Sequence, residues 1–497
     1  MRSKNKTKES WRIVKSLTDK HINCKEDLVL DNDGELIYNP PTIATIFNNY
    51  FINSVETVVN RVTKQDLNND FYADDFMKYL AKSFQQPFST INLKAVNKKE
   101  IFEIIKSLKW NTSPGYDEIP NWIVKLSFPF ISSPLIYLCN RMLESGTFPT
   151  RLKYAQIFPL FKKGSRKEKS NYRPVAVLTA FSKIFEKVIF NRLLRHSEEN
   201  NIVVAEQHGF RKNNSTDLAI FKLINHILTH LNSNIRVGGI FYDLKKAFDT
   251  VNHNILLSKL QFYGVKGKAS DLIRSYLSDR YQRVIIKNTD VSQCFATWKL
   301  VYQGVPQGSI LGPLLFLFYI NDLPIVMKGV AYPILFADDT SFLISNTDSK
   351  NLNHELELTL SKAQNWFKAN IMLLNYDKTN FLQFYSNSHS ASSPSLIPNS
   401  GLISETNSIK FLGITLESSL TWKKHIDYLN TKLQPLGYII RSLRKVLSLK
   451  VMKQIYHSYV NSVMTYGIIF WGSSPHCRTL FITQKRIIRI IMNAKVN

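Results

Sequence analysis

The chain has 497 residues, of which 44% are hydrophobic, and its formal net charge is +26, from 64 Lys and Arg against 38 Asp and Glu. This length allows one large multi-lobed core or two to three domains. The positive charge suits a polyanionic partner, since each neutralised phosphate releases counterions, although a merely soluble basic protein is the alternative. Four scattered cysteines argue against a zinc site and against a disulfide framework.

Neither a signal peptide nor a membrane span is predicted. Residues 1–20 are charged and lack the apolar core of a signal peptide. The longest apolar run, Ile310 to Ile320, contains Gly312 and Pro313 and is far shorter than the roughly 20 residues of a membrane helix. We therefore expect an intracellular protein, nuclear or cytoplasmic, without a membrane partner.

The predicted elements begin with a helical pattern at Thr42 to Val55, inside a first segment of about 95 residues that holds no catalytic constellation. Val175 to Leu194 shows apolar residues at helical spacing, which predicts an amphipathic helix. Ser215, a good N-cap residue, begins a second predicted helix. Two short apolar runs follow, Val237 to Tyr242 and Tyr332 to Ala337, and both are typical of buried strands.

The C-terminal part of the chain combines a predicted loop with basic helices. Residues 386–400 are rich in Ser, Pro and Asn, which predicts the loop. Beyond Trp422 the pattern is helical and carries many cations. These are Lys423, Lys424, Lys432, Arg441, Arg444 and Lys445. The last helical stretch, Gln484 to Ala494, shows no capping residue, which indicates a chain cut short within this region.

Both predicted strands end on acidic residues. Asp243 follows the first strand, and Asp338 and Asp339 follow the second. Two adjacent Asp residues alone are common in hairpin turns. Here apolar strands draw the turn towards the interior, where two carboxylates about 4 Å apart repel by about 4 kcal/mol at an effective dielectric of 20. Divalent cations relieve such repulsion and oxygen ligands suit magnesium, so the three carboxylates predict a two-metal site for phosphoryl transfer.

A glycine-rich turn lies between the two strands in the sequence. Gly304 to Ser309 reads Gly-Val-Pro-Gln-Gly-Ser and leads into an apolar helix at Ile310. Its glycines allow a close backbone approach. A lone Pro-Gln-Gly is weak evidence, but its position between the carboxylate strands supports the prediction of an active site.

Seven sequence blocks follow one another in a characteristic order over roughly residues 95–490. They are Asn171 to Pro174 with Ser182 to Lys187, Gln207 to Arg211, Tyr242 to Asp249, Gly304 to Asn321, Phe336 to Asp339, Asn375 to Thr379, and Phe411 to Ile414 with Trp422 and His425. In this order they resemble the reverse transcriptases of non-LTR (LINE-type) retrotransposons, most closely those of the jockey group.

The resemblance implies an α+β fold: a right-hand polymerase with fingers, a palm of antiparallel sheet and helices, and a helical thumb. The implied boundaries are an N-terminal extension or linker at 1–95, fingers and the start of the palm at 96–235, the palm with its carboxylates and primer grip at 236–420, and a basic thumb at 421–497.

The same resemblance implies roles for individual residues. Asp243, Asp338 and Asp339 are the implied catalytic carboxylates and metal ligands, and Phe248 is the implied gate that excludes a 2′-hydroxyl, with a core phenylalanine as the alternative. The other implied site residues are Lys162, Lys163 and Arg173 at the triphosphate, Gln307 and Gly308 at the incoming nucleotide, Lys378 as the acid for pyrophosphate, and Phe411, Leu412 and Gly413 as the primer grip. For the three lysines a solvent-facing position is the alternative.

The resemblance further implies two Mg²⁺ ions, with Mn²⁺ as a substitute, and an RNA template, a DNA primer or target and dNTPs as partners. Elements of this kind carry an endonuclease ahead of the polymerase, for which about 95 residues leave no room. Nicking would then come from another chain or a missing domain. The expected function is RNA-directed DNA synthesis. The alternatives are a catalytically inert nucleic-acid-binding relic and an RNA-dependent RNA polymerase, and Phe248 argues against the latter.

Overall fold

The computed structural model describes residues 28–64, 75–85, 88–287, 293–385 and 403–494. Helices and strands alternate in an α+β architecture, as the sequence predicted. The helices are α1 (Pro40–Lys64), α2 (Asp75–Ser83), α3 (Lys98–Ser107), α4 (Asn121–Ser145), α5 (Ala180–Glu199), α6 (Thr216–Asn232), α7 (His253–Phe262), α8 (Lys268–Leu277), α9 (Gly312–Ile320), α10 (Leu323–Met327), α11 (Ser349–Ala369), α12 (Lys423–Arg444), α13 (Leu449–Ile455), α14 (Ser462–Thr465), α15 (Ile468–Trp471) and α16 (Cys477–Met492).

The strands are β1 (Leu30–Asn32), β2 (Glu35–Ile37), β3 (Tyr154–Phe161), β4 (Tyr172–Val177), β5 (Arg236–Tyr242), β6 (Arg280–Lys287), β7 (Gln293–Phe295), β8 (Lys299–Val301), β9 (Tyr332–Phe336), β10 (Asp339–Asn346), β11 (Asn380–Phe384), β12 (Ser404–Glu405), β13 (Ser408–Phe411) and β14 (Ile414–Glu417). The predicted loop at 386–400 lies outside the described residues.

The central sheet has the strand order β12-β11-β5-β10-β9, and its pairs are antiparallel except β11 with β12. Successive side chains of β5 enter two different cores. Val237 and Phe241 pack with the C-terminal helices, whereas Ile240 and Tyr242 pack with the helices on the other face. Because both faces are buried, the strand is apolar throughout, which is why the sequence predicted it.

A second sheet has the order β4-β3-β6-β7, and β8 also pairs with β6. Helix α1 from the first segment covers this sheet. Phe47 of α1 lies in one hydrophobic cluster with Ile157, Tyr172 and Val284, and its ring centroid is 4.9 Å from that of Tyr172. The first segment therefore shares a core with residues that follow it by more than a hundred positions.

Two sequence predictions about helix ends are wrong. Residues 175–177 form the end of β4, and α5 begins only at Ala180, where the Thr179 side chain accepts a hydrogen bond from the Ser182 backbone N–H. The β-branched valines of this stretch favour the extended chain. The second wrong prediction is that the helical stretch from Gln484 lacks a cap. The C-terminal end of α16 is capped by Asn493, which has the left-handed conformation with φ of 57° and whose N–H donates to the Arg489 carbonyl.

One described helix, α4, has the length and composition of a membrane span, with 25 residues and an 18-residue stretch of mean hydropathy 1.4. No continuous apolar run marks this helix in the sequence, because polar residues and two prolines, Pro129 and Pro134, interrupt the stretch. One face of α4 is buried, as at Val124 and Leu135, whereas Phe130 on the opposite face is 86% exposed. Core helices of soluble proteins reach the same length and composition.

Candidate active site

The three predicted carboxylates lie at one end of two neighbouring strands. Asp243 is the first residue after β5, Asp338 is the second residue of the turn that joins β9 to β10, and Asp339 is the first residue of β10. Thr340 pairs with Tyr242, so Asp339 stands across from Asp243, one position beyond the last pair of that ladder. The antiparallel register therefore brings together acids that are almost one hundred residues apart in sequence.

Gln207 holds the turn that carries Asp338. Its side-chain oxygen accepts hydrogen bonds from the backbone N–H of Ala337 at 2.9 Å and of Gly209 at 2.8 Å. A Cβ atom on Gly209 would lie 2.3 Å from the Ala337 nitrogen, so only glycine permits this approach. No role was predicted for Gln207. Its place in the block Gln207 to Arg211, one of the seven ordered blocks, was the signal that could have identified it.

Asn375, which lies in the connection between α11 and β11, holds Asp243 in place by two hydrogen bonds. Its side-chain amide donates to the Asp243 carboxylate at 2.7 Å, and its backbone N–H donates to the Asp243 carbonyl at 2.8 Å. Lys378 lies on the same turn, with its Nζ atom 3.8 Å from the Asp243 carboxylate and about half of each side chain exposed. Lys378 is thus at the site and reaches solvent as well, while Asn375 is a positioning residue that the sequence analysis missed.

The electrostatics of the three carboxylates favour a bound cation. Burial and then the charges of Asp338 and Asp243 raise the pKa of Asp339 to about 6. Burial and the charge of Asp243 likewise raise the pKa of Asp338. Within the described ranges, no three His, Cys, Asp or Glu side chains form a ready-made metal cluster. The residues nevertheless fit divalent ions, because hard oxygen donors that repel one another are the ligands that such ions stabilise.

Cationic side chains of the second sheet face these acids. Leu160 pairs with Arg173 across β3 and β4, which places Arg173 and Lys162 on the same face of the hairpin. Burial and then the charges of Arg173 and Lys378 lower the pKa of Lys162, while Asp243 opposes them. The charges of Arg173 and Lys162 offset part of the rise in the pKa of Asp338. Lys163 is exposed beside Lys162, and its charge acts on Lys162.

The glycine-rich turn is fixed to both neighbouring segments. The Gln307 side-chain amide donates to both carboxylate oxygens of Asp249, each at 2.9 Å, and the Gln307 carbonyl accepts from the Ala176 N–H of β4 at 2.8 Å. Gly308 has φ of 114°, and a Cβ there would lie 2.6 Å from the Ala176 carbonyl oxygen. Burial raises the pKa of Asp249 to about 6, against the Gln307 hydrogen bonds and the charge of Lys246. The sequence analysis assigned Asp249 no role.

Phe248 is half-buried between the turn and the central helices. Its ring stacks on that of Phe316 with centroids 4.5 Å apart, and its edge meets Phe210 at 6.2 Å. Its carbonyl accepts from the Val305 N–H at 2.8 Å, next to the Pro-Gln-Gly turn. One face of the Phe248 ring is therefore packed, while part of the side chain stays accessible. This position is compatible both with a gate at the nucleotide sugar and with a phenylalanine at the edge of the hydrophobic core.

The predicted primer-grip residues form the tip of a separate hairpin. Phe411 ends β13, and Leu412 and Gly413, both with positive φ, form the turn to β14. The Phe411 ring lies 5.7 Å from Phe241, two positions before Asp243. The Tyr466 hydroxyl donates to the Leu412 carbonyl, so the hairpin joins β5 to the C-terminal helices.

A comparison with known protein families matches residues 162–416 to the reverse transcriptase (RNA-dependent DNA polymerase) domain. This match covers about half of the chain and includes every predicted site residue. The chain belongs to the reverse transcriptase family. Reverse transcriptase domains generally use divalent metal ions, in agreement with the acidic site described above.

Similar proteins place this reverse transcriptase with the polymerases of mobile elements. It is 28% identical over 97% of its length to the probable RNA-directed DNA polymerase from transposon BS of Drosophila melanogaster. It is 28% identical over 84% of its length to the RNA-directed DNA polymerase from mobile element jockey of Drosophila funebris. The chain covers 52% and 46% of these relatives, so it spans about half of their length. The resemblance to jockey-group non-LTR retrotransposons is thus confirmed.

Proposed function

We propose that this reverse transcriptase extends a DNA primer on an RNA template, using dNTPs and two Mg²⁺ ions. The observation that carries the proposal is the convergence of Asp243, Asp338 and Asp339 at adjacent strand ends, opposite Lys162 and Arg173. This arrangement places anionic metal ligands against cations suited to a triphosphate.

Each part of the site has a chemical task in this proposal. Asp243, Asp338 and Asp339 would hold the divalent ions, which supply Lewis-acid stabilisation to the attacking 3′-oxygen and to the departing pyrophosphate. Arg173 and Lys162 orient the triphosphate, and Lys378 donates a proton to pyrophosphate as it leaves. Asn375 and Gln207 keep the carboxylates in place, so that little reorganisation is needed during the reaction.

The three-dimensional contacts suggest how the polymerase lobes divide the chain. We assign β3, β4 and β6 to the fingers, the sheet around β5 to the palm, and α12–α16 to the thumb. Helix α1 belongs with the fingers in this assignment, because it shares their hydrophobic cluster. Strand β6 lies inside the range 236–420 predicted for the palm, so this assignment moves it to the fingers, while the predicted start of the thumb near residue 421 is kept.

Primer extension on poly(rA)/oligo(dT) with dTTP and Mg²⁺ tests the proposal directly. Labelled DNA product that requires both the RNA template and the divalent ion supports it. Product made from UTP and not from dTTP would support an RNA polymerase instead. Primer–template binding without any extension in Mg²⁺ or Mn²⁺ would support an inert nucleic-acid-binding protein.

Phe248→Ala is expected to raise the use of ribonucleotides relative to deoxyribonucleotides, because it removes the ring that would contact a 2′-hydroxyl. Its stability cost should lie below the roughly 3–5 kcal/mol of a fully buried phenylalanine, since the ring is only half-buried. Incorporation of rNTPs and dNTPs is measured together with the melting temperature. Phe102→Ala, another partly exposed ring, on α3, is the control. Unchanged sugar preference with a large fall in melting temperature would favour a core role.

A basic cleft between α12 and α16 offers a path for the nucleic-acid backbone. Its volume is about 800 Å³, and no acidic side chain is among its described lining residues. Five cations line it: Arg441, Arg444, Lys485, Arg486 and Arg489. Contacts from such residues to phosphates carry no base information, so we propose that the thumb binds the duplex independently of its sequence.

Arg441→Ala combined with Lys485→Ala is expected to weaken all primer–templates alike and to shorten products. Each lost phosphate contact should reduce the slope of log K against log salt by about 0.9. Affinity is measured from low to moderate salt on two unrelated duplexes. Lys98→Ala with Lys99→Ala is the matched control, because these exposed lysines lie on α3 and do not line the cleft. An unaltered slope in the thumb variant would mean that this cleft faces only water.

A further inference from the structure

Helix α1 contacts the loop that begins at Asp243. The Lys246 ammonium group of this loop donates to the Ser54 hydroxyl, and it lies 4.9 Å from the centre of the Tyr50 ring. Ser54 donates in turn to the Phe51 carbonyl at 3.3 Å, so its oxygen can accept from Lys246. A cation over an aromatic face in a partly dehydrated place is held more firmly than one in water.

Lys246 in turn holds the part of the loop that binds Gln307. Its carbonyl accepts from the N–H groups of Asp249 at 2.8 Å and Thr250 at 3.0 Å, and its own φ is 53°. Asp249 then accepts both hydrogen bonds of the Gln307 amide. A continuous set of contacts therefore runs from α1 through Lys246 and Asp249 to Gln307.

A cavity of about 250 Å³ lies along the same route. Phe51 and Val55 of α1 line it together with Asp249 and Gln307. The other side of the loop is packed, since the Asp249 backbone lies directly against Gly304 and Thr250 is buried. On the side of α1 the cavity separates Asp249 from the helix, so the contacts of Lys246 with Tyr50 and Ser54 join the loop to α1 there.

We propose that Tyr50 and Ser54 are positioning residues for the incoming nucleotide, acting through Lys246 and Asp249 on Gln307. The proposal rests on the proposed polymerase function, in which Gln307 lines the nucleotide site. Both residues lie outside the segment that matches the family domain, in the part of the chain for which the sequence showed no role. They touch neither substrate nor metal and are not catalytic residues.

The test separates Tyr50→Leu, which removes the aromatic face, from Tyr50→Phe, which keeps it. Tyr50→Leu is expected to raise the KM for dNTP about three- to tenfold, as loss of a cation–π contact predicts, with kcat within about twofold. Tyr50→Phe should behave like the wild type. Tyr38→Leu removes an exposed tyrosine of the same N-terminal segment and should change neither constant.

Hydrogen exchange provides a readout that does not depend on activity. In the full-length Tyr50→Leu and Ser54→Ala variants, the amides of Asp249 and Thr250 should exchange several-fold faster than in the wild type. If the wild type does not extend primers, the polymerase proposal fails. The exchange rates still test whether Tyr50 and Ser54 hold the loop at Asp249 and Thr250. Unchanged exchange at both amides overturns the inference. So does an equal rise in KM in Tyr50→Leu and Tyr50→Phe, since the aromatic face would then have no part.

Discussion

Asp338→Asn and Asp243→Asn are each expected to reduce primer extension to less than about one hundredth of the wild-type rate, because each removes a charged metal ligand. The affinity for primer–template should stay within a few-fold, since the cations that face phosphate are untouched. The two measurements are extension under single-turnover conditions and binding of a labelled duplex in the absence of dNTP. The loss of rate with retained binding is the combination that marks a site for chemistry.

Asp271→Asn is a suitable control for this experiment, because Asp271 is an exposed carboxylate on α8, away from the central sheet. It should extend primers like the wild type. More than about one tenth of the wild-type rate in Asp338→Asn or Asp243→Asn would remove that residue from the metal site. Equal losses of rate and of duplex binding would instead indicate a folding defect.

Asp322→Ala is expected to destabilise the protein by about 3–5 kcal/mol, because it leaves the buried Lys259 ammonium group without its counter-ion. Lys259 and Asp322 form an ion pair at 2.6 Å with both side chains fully buried. Lys259 also donates to the Tyr319 carbonyl at 2.7 Å, and Trp366 donates to Asp322 at 2.7 Å. The network joins α7, α9 and α11 through Asp322, the residue just before α10. Urea unfolding followed by tryptophan fluorescence measures the effect.

An exposed ion pair of the same length provides the control. Lys78 and Asp75 are also 2.6 Å apart, but their side chains are 67% and 21% exposed. Asp75→Ala should therefore cost at most about 1 kcal/mol. In the variant that combines Lys259→Met with Asp322→Leu, part of the lost stability should return, since no charge stays buried. A loss below about 1 kcal/mol for Asp322→Ala would show that water reaches Lys259.

The strands that carry the acids were predictable because their signal is local. Val237 to Tyr242 and Tyr332 to Ala337 are short apolar runs that lead into Asp, and burial of both sheet faces requires that composition. Helix α6 was predictable for the same reason, since Ser215 caps it with a hydrogen bond to the Leu218 N–H. Strand β4, at Tyr172–Val177, could not be predicted in the same way, because its apolar residues are nearly continuous with those of helix α5.

The sequence by itself indicated the candidate residues for chemistry: acids at strand ends, a glycine-rich turn between them, and basic helices at the C-terminal end. Only the tertiary structure decided how these residues are held. Gln207 accepts a hydrogen bond from Ala337, 130 positions further along the chain, and Lys246 donates to Ser54 of α1, 192 positions before it. Such contacts leave no periodicity in the sequence, because a hydrogen bond needs only one donor and one acceptor brought close by the fold. For the same reason, the association of α1 with the loop that begins at Asp243 could be seen only once the chain was folded.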